Sequence, residues 1–314
     1  MKQVHFKKSM LTRFVNELRR NYRLYALAVP GLILILTFSY IPMLGHILAF
    51  KRYTFVGGLF GSPSVGFKNF EFFFGSRDWK TVTFNTLFLN TVFIFSNHLT
   101  AIMLAIFLNE IRKTSIKRIF QSLIFLPYFV SWLVVSLMIF GFLNATTGTI
   151  NGLFDVLGLK RVNYYLIPGA WRVILPIAYV WKFAGYYSII YLAAIIGIPN
   201  DYYESAAIDG ASRWQQVRKI TLPLIRPTVI VLVLIALGRI FYGDFGMIYG
   251  IVGDIGILYP TTDVIDTYSF RTFRQLGNFG MSSAVSLYQS VMGLITILIF
   301  NTIVRRIEPD SSLF

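Results

Sequence analysis

The chain has no cysteine and only three histidines, His5, His46 and His98, among its 314 residues. Disulfides, thiolate metal sites and cysteine nucleophiles are therefore excluded, and the widely separated histidines offer no metal-ligand spacing. No P-loop sequence of the form G-x4-G-K-[ST] occurs, so this chain cannot supply a P-loop ATPase. These absences remove the commonest kinds of catalytic and metal centre from consideration.

Acidic residues are also scarce, with 14 Asp and Glu against 29 Lys and Arg, and the net charge is +15. Hydrophobic residues make up 55% of the chain and aromatic residues 17%. This composition is typical of a polytopic membrane protein rather than a soluble domain. The basic residues flank long apolar runs, a distribution that favours a membrane orientation signal over nucleic-acid binding.

A bilayer core of about 30 Å needs about 20 apolar residues per helix, and six stretches meet that length. We therefore predict an all-α polytopic membrane protein with six transmembrane helices. A basic amphipathic segment, residues 1–23, precedes the membrane domain, 24–304, and a short tail, 305–314, follows it. The six predicted spans are 24–50, 84–109, 120–142, 171–196, 224–250 and 284–304.

The basic residues also predict on which side of the membrane each loop lies. Six spans place both termini on one side, and Lys and Arg are about twice as dense in the segments on that side as in the others. We expect both termini in the cytoplasm of a bacterial cell, together with the loop 200–223. Apolar segments of this kind contact membrane lipids directly.

Charged residues within the predicted spans are the candidate substrate contacts. A charge at membrane depth costs roughly 2.5–3.5 kcal/mol on insertion scales, so it needs a partner or a watery cavity. Two of the candidates have a structural alternative. The Lys182 ammonium could reach the membrane interface along its own aliphatic stem, and Arg239 could form an ion pair with a carboxylate of a partner subunit. Tryptophans such as Trp132 and Trp171 are expected in the interfacial belt. The predicted pathway residues are Lys182 and Tyr186 in the fourth span, and Arg239, Tyr242 and Asp244 in the fifth.

The loop between the fourth and fifth spans, YESAAIDGASRWQQVRKITLP from Tyr203 to Pro223, combines small residues, a flexible glycine and a proline. Gly210 permits a sharp change of direction, and Pro223 suits the first turn of a helix. This pattern favours docking into a groove of another protein, although an ordinary helical hairpin is the alternative. The candidate docking residues are Glu204, Ser205, Ala206, Ala207, Asp209, Gly210, Ile220, Leu222 and Pro223.

This loop resembles the EAA motif, E-A-A-x3-G-x9-I-x-L-P, of membrane subunits of ABC importers. All spacings match, and Ser205 in place of the first alanine is the one departure. The resemblance implies the type I ABC importer permease fold. It also implies that the loop forms a coupling helix that sits in a cleft of an ATPase subunit.

Further segments resemble carbohydrate permeases of the LplB-like branch: Gly66 to Phe70, Asp263 to Tyr268, Leu287 to Val291, Asn301, and Arg305 to Pro309. The resemblance implies a non-catalytic subunit that imports oligosaccharides and forms a heterodimer with a second homologous permease. Its other expected partners are two ATPase subunits, which bind the ATP and Mg, and a periplasmic or extracellular solute-binding protein. We expect no cofactor on this chain itself.

Three alternatives remain open at this stage. A permease for peptides or other small solutes would share the coupling loop. A secondary transporter would need buried carboxylates for ion coupling, and Asp244 is the only acidic residue within a predicted span. A membrane-embedded enzyme would need a His/Asp/Glu cluster at membrane depth, which the sequence does not offer.

Overall fold

The structure, a computed structural model, describes residues 17–309 and 312, and these are almost entirely helical. Within them the only β pairing is an isolated antiparallel bridge between Lys51 and Ser64. Most of the amphipathic segment predicted over 1–23 lies outside the described residues. The principal helices are α1 (Tyr22–Ile35), α2 (Asp78–Glu110), α3 (Thr114–Phe129), α4 (Trp132–Leu143), α5 (Pro168–Ile196), α6 (Asn200–Ile208), α7 (Leu222–Leu237), α8 (Phe245–Val252), α9 (Ile265–Leu276) and α10 (Phe279–Ile307).

Short helices fill most of the connections between them. α1 continues without a break through a π-helical turn and a 3-10 helix, so that the first helical run ends at Phe50. The shorter elements are Leu36–Tyr40, Ile41–Met43, Leu44–Phe50, Gly58–Gly61, Lys68–Gly75, Thr149–Val156, Tyr164–Leu166, Arg213–Gln216, Val217–Thr221, Gly256–Leu258 and Tyr259–Thr262.

Five helical runs in the described part of the chain are long and apolar enough to cross a membrane. The pair α3 and α4, bent by 96° at residues 130 and 131, brings the number to six when it is counted as one broken span. The all-α, six-span prediction is therefore confirmed. The five continuous runs are Tyr22–Phe50, Asp78–Glu110, Pro168–Ile196, Arg213–Leu237 and Phe279–Ile307.

Two predicted spans are not single helices, and here the prediction was wrong. The stretch 120–142 breaks between α3 and α4, and the stretch 224–250 breaks at residues 238–244, between α7 and α8. Apolar composition measures length across the bilayer but does not detect a break whose backbone groups are satisfied by neighbouring helices. We call these two places the first break and the second break.

Two prolines of the helical runs are accommodated by π-helical turns. Pro223 lies in the first turn of α7, as predicted, two residues after the end of the π-helical turn Val217–Thr221. Pro42 likewise follows the π-helical turn Leu36–Tyr40. A proline ring collides with the carbonyl four residues earlier in an α-helix, and a π-helical turn shifts that carbonyl away.

The core is built around α2 and α5, which lie against each other along most of their length. Trp171, in the first turn of α5, is fully buried in it and donates its indole N–H to the Tyr164 carbonyl at 3.0 Å. Deeper in the pair, His98 Nδ1 and the Tyr191 hydroxyl are 2.6 Å apart. This is the interhelical hydrogen bond that a polar residue within a span requires.

The helix α1 stands apart from this core. None of its residues is buried, whereas Leu48 and Ala49 at the end of the same helical run are buried. Asn69 fixes that end by donating to the carbonyls of Ala49 and Lys51 at 2.9 and 3.0 Å. The first span is therefore anchored to the bundle at one end only.

Candidate functional site

The first break owes its stability to Lys182 of α5. A chain break inside a membrane frees backbone carbonyls that must find donors within the protein. The Lys182 ammonium donates to the carbonyl of Tyr128 at 2.9 Å and also to that of Val130. Only 6% of Lys182 is exposed, so the alternative that it extends to the interface is wrong.

The second break is held by amide side chains from two other helices. Asn90 of α2 donates to the carbonyls of Ile240 and Tyr242, at 2.9 and 3.1 Å. Gln289 of α10 donates to the carbonyl of Phe241 at 2.7 Å. Three successive carbonyls of the break therefore have side-chain donors. The break is stabilised by the hydrogen bonds that buried backbone groups require.

A further polar group of the second break, the Gly243 N–H, donates to Oδ2 of Asp266 at 2.6 Å. Gln289 donates to the same oxygen at 2.8 Å. Asp266 lies in α9, outside the membrane-spanning helices. Burial raises the pKa of its carboxyl to about 6, since the desolvation of the charged form outweighs these two hydrogen bonds.

Trp132 connects the two breaks. Its indole N–H donates to Oδ2 of Asp244 at 2.7 Å, and the Lys182 ammonium lies 5.3 Å from its ring centroid. Asp244 also caps α8, accepting the Met247 N–H on Oδ1 at 3.0 Å. Trp132 therefore lies between a buried cation and a half-buried carboxylate.

The other predicted pathway residues lie around this centre with different surroundings. Tyr186 stacks on Tyr128 at 4.6 Å between ring centroids, and the Tyr242 hydroxyl donates to Ser290 Oγ at 3.1 Å. Arg239 is exposed at the start of the second break, and its side chain forms no ion pair with the described residues. The structure brings Lys182 and Asp244 together through Trp132, which sequence reasoning had assigned elsewhere.

The predicted docking loop folds as a helical hairpin at the end of α5. α6 ends before Gly210, whose φ of +79° is a conformation that side chains with a Cβ rarely adopt. Ser212 then starts the next helix with a capping box. Its hydroxyl accepts the backbone N–H of Gln215, and its own backbone N–H donates to Oε1 of Gln215. Gly210 therefore turns the chain, as the sequence predicted.

Most of the predicted docking residues are available to a partner. Ala206 and Ile220 are half-buried, and Ile220 packs against the cluster that joins α2, α5 and α7. Small exposed residues on a short helix permit close approach of another backbone. The exposed members are Glu204, Ser205, Ala207, Asp209, Gly210, Leu222 and Pro223.

Sequence reasoning missed the large apolar side chains of this hairpin. Tyr202 is 55% exposed and Ile208 87%, and both lie outside the membrane-spanning helices; Trp214, 69% exposed, is the second residue of the run Arg213–Leu237. Exposed apolar side chains grouped on a polar hairpin are typical of a protein interface. The signal was present in the sequence as apolar residues within an otherwise polar loop.

A cavity of about 570 Å³ opens beside the hairpin. Glu204 and Arg213 both line it, yet no ion pair joins them, and none of the ion pairs among the described residues includes Glu204. The carboxylate is therefore free to pair with a cation from outside the chain.

Comparison with known proteins places this architecture. Residues 98–309 match the family model described as "Binding-protein-dependent transport system inner membrane component". Protein LplB of Bacillus subtilis (strain 168) is 34% identical over 93% of this chain and 92% of its own length. In the same organism, the polygalacturonan/rhamnogalacturonan transport system permease protein YteP is 33% identical, over 98% of this chain and 95% of its own.

Solved structures agree with the sequence comparisons. A chain from a bacterial ABC transporter involved in the import of the acidic polysaccharide alginate superposes with a TM-score of 0.85. It is 35% identical to this chain, and the match covers 94% of this chain and 99% of the other. A second structure, of the alginate transporter with an alginate pentasaccharide-bound periplasmic protein, matches equally well, with a TM-score of 0.85.

The chain belongs to the family of inner-membrane components of binding-protein-dependent transport systems. It is thus a multi-pass permease subunit of an ABC importer, with the expected permease fold. Subunits of this family are not catalytic, because separate ATPase subunits hydrolyse the ATP. Membership excludes the secondary transporter and the membrane-embedded enzyme considered from the sequence. A metal-binding group of three or more His, Asp or Glu side chains is absent from the described residues.

Proposed function

We propose that this chain forms half of the translocation pathway for an oligosaccharide, in a bacterial importer that receives its substrate from a binding protein. The observation that carries the proposal is the polar and aromatic centre at the two helix breaks. It supplies aromatic faces for the C–H surface of a sugar, and charged groups for its hydroxyls. The names of YteP and of the alginate transporter, both for polysaccharides, support the same substrate class.

The five predicted pathway residues divide into two roles in this proposal. Lys182 and Asp244 are held by fixed partners, so they shape and polarise the pathway. Arg239, Tyr242 and Tyr186 contact the passing sugar. Arg239, exposed and without an anionic partner among the described residues, would also suit the carboxylate of an acidic sugar.

The exposed hairpin supports coupling to a cytoplasmic ATPase. The apolar side chains Tyr202, Ile208 and Trp214 would enter a cleft of the ATPase subunit, and Glu204 would pair with one of its cations. Since α6 leads through Gly210 into the continuous run Arg213–Leu237, a movement of the hairpin is transmitted to the helix that ends at the second break. ATP and Mg bind to the ATPase and not to this chain.

The separation of α1 from the core supports a second permease subunit. A span without buried residues leaves its apolar surface to lipid or to another protein, and a heterodimer would place the partner permease against it.

The transport mechanism in this proposal is alternating access. ATP binding closes the ATPases, the hairpins move together, and the two permeases open toward the binding protein. Hydrolysis returns the pathway to the cytoplasmic side.

The substrate class is tested by uptake into proteoliposomes that contain the complete transporter and its binding protein. We expect import of radiolabelled oligogalacturonides or malto-oligosaccharides, and Arg239→Ala should reduce it with the complex still assembled. A larger loss of the oligogalacturonides than of the neutral sugars would indicate an acidic substrate. Import of a peptide pool and of neither saccharide would contradict the proposal.

Coupling is tested by reversing the charge of Glu204. Glu204→Lys should leave the chain inserted and abolish substrate-stimulated ATPase activity, because a cation then faces the cation expected in the cleft. Asp201→Lys is the matched control, since Asp201 is an exposed acid of the same helix that does not line the cavity. Equal stimulation in the two variants would contradict the assignment of Glu204.

A further inference from the structure

A second cavity, of about 280 Å³, lies between α9 and α10, next to the second break. Its polar lining comes from Asp266, Gln289 and three serines, and its apolar lining from Phe245, Phe270 and Phe273. The volume lies just below the roughly 300–1,000 Å³ of ordinary ligand sites, so it suits a single ring rather than a chain.

The polar side of the cavity is already organised. Ser269 Oγ lies 2.9 Å from Ser282 Oγ and 3.2 Å from Ser286 Oγ. Asp266 uses Oδ2 for its bonds to Gly243 and Gln289, and Oδ1 accepts no hydrogen bond from another described residue. The cavity therefore presents a carboxylate oxygen and hydroxyl groups on side chains whose positions are fixed by neighbours.

The rest of the lining is aromatic. Phe245 and Phe270 are 4.8 Å apart between ring centroids, and Phe273 is 45% exposed beside them. The cavity thus combines groups that bind the hydroxyls of a pyranose with aromatic rings that pack against its C–H surface. Neither a lipid tail nor an ion makes use of both.

We propose that this cavity is a saccharide subsite, which binds one sugar ring before it reaches Tyr242 and Arg239 at the second break. The proposal rests on the proposed function and extends it to residues of α9 and α10. Asp266 and Gln289 hold the backbone of the second break as well as lining the cavity. A sugar that hydrogen-bonds to them therefore acts directly on the segment that carries the pathway residues.

Cysteine protection tests the subsite, because this chain has no native cysteine. Ser282→Cys places a thiol in the cavity, and Ser283→Cys, on the next residue and outside it, is the matched control. In the complete transporter, the oligogalacturonides or malto-oligosaccharides that the wild type imports should slow maleimide labelling at position 282 and leave position 283 unaffected. Labelling is read on this chain after separation from its partners.

A second variant tests the aromatic side without removing a hydrogen bond. Phe273→Leu should raise the KM for saccharide uptake roughly fivefold with kcat nearly unchanged, as expected for an aromatic contact to the ring. Phe72→Leu, an exposed phenylalanine away from the cavity, is its control and should leave KM unchanged.

The outcomes separate the two proposals. Import of saccharide by the wild type, with no protection at position 282 and an unchanged KM in Phe273→Leu, overturns the subsite alone. Equal slowing at positions 282 and 283, or loss of the assembled complex in Phe273→Leu, also overturns it, since the cavity would then be a moving or subunit-contact surface. Import of neither saccharide overturns both proposals.

Discussion

At the scale of single residues, charged side chains within the bundle form hydrogen bonds with its free backbone groups. Lys182 donates to two carbonyls freed by the first break, and Asp266 accepts the Gly243 N–H of the second. A buried charge is tolerated where it makes charge-assisted hydrogen bonds of this kind. Such residues keep the interrupted helices in one arrangement.

Lys182→Met should destabilise the chain by about 2 kcal/mol, the usual cost of losing hydrogen bonds to a charged group. Methionine keeps the length of the stem but cannot donate to the Tyr128 and Val130 carbonyls. Thermal unfolding of the detergent-purified protein measures the effect, with the exposed Lys160→Met as the control. Equal stability of the two variants would mean that water satisfies the first break.

The raised pKa of Asp266 predicts a pH dependence. Its folded pKa of about 6 exceeds the ordinary 3.8, so the folded chain binds this proton more tightly than the unfolded chain. Stability should therefore rise as the pH falls from above 6 toward 4, and change no further on this account below that. Thermal unfolding measured across this pH range should show a smaller rise in stability for Asp266→Asn than for the wild type.

Asp155→Asn is the control for this pH dependence. The hydrogen bond from Arg161 lowers the pKa of Asp155, so its contribution has the opposite sign and is lost as the pH falls. Removing it should leave the rise due to Asp266 in place. An identical pH dependence in the wild type and Asp266→Asn would contradict the assignment.

At the scale of helices, close packing depends on single small residues. A Cβ built on Gly185 of α5 would lie 1.8 Å from the Ile124 carbonyl oxygen of α3. Because the obstacle is backbone, the two helices would have to separate. Gly185 thus fixes the crossing of α5 with the helix that ends at the first break.

Gly185→Ala should cost about 3 kcal/mol, at the upper end of the range for overpacking. Gly169→Ala, near the start of the same helix, meets no atom within 4 Å and should be close to neutral. Thermal unfolding and the yield of folded protein compare the two. A stable Gly185→Ala variant would show that α3 and α5 move apart at little cost.

At the scale of the whole molecule, the orientation in the membrane follows from the basic residues and remains a prediction. Asp209→Cys and Lys160→Cys lie in exposed segments at opposite ends of the bundle, and the chain has no other cysteine. In intact cells, a membrane-impermeant maleimide should label position 160 alone, and position 209 only after permeabilisation. Labelling of both in intact cells would contradict the six-span topology.

The sequence by itself determined the number of membrane crossings, the family and the turn of the hairpin at Gly210. Long apolar runs require helices in a bilayer, and only glycine readily takes the φ of +79° at which Gly210 turns the chain. These features depend on neighbouring residues along the chain. Sequence patterns therefore report them directly.

Only the tertiary structure decided where the helices break and what the polar residues contact. The second break depends on Asn90 and Gln289, which lie about 150 and 48 positions from the carbonyls they satisfy. The partner of Trp132, Asp244, is 112 residues away, so no local sequence pattern shows this contact. A break is stable only if distant side chains reach its free backbone groups, and folding alone brings them together.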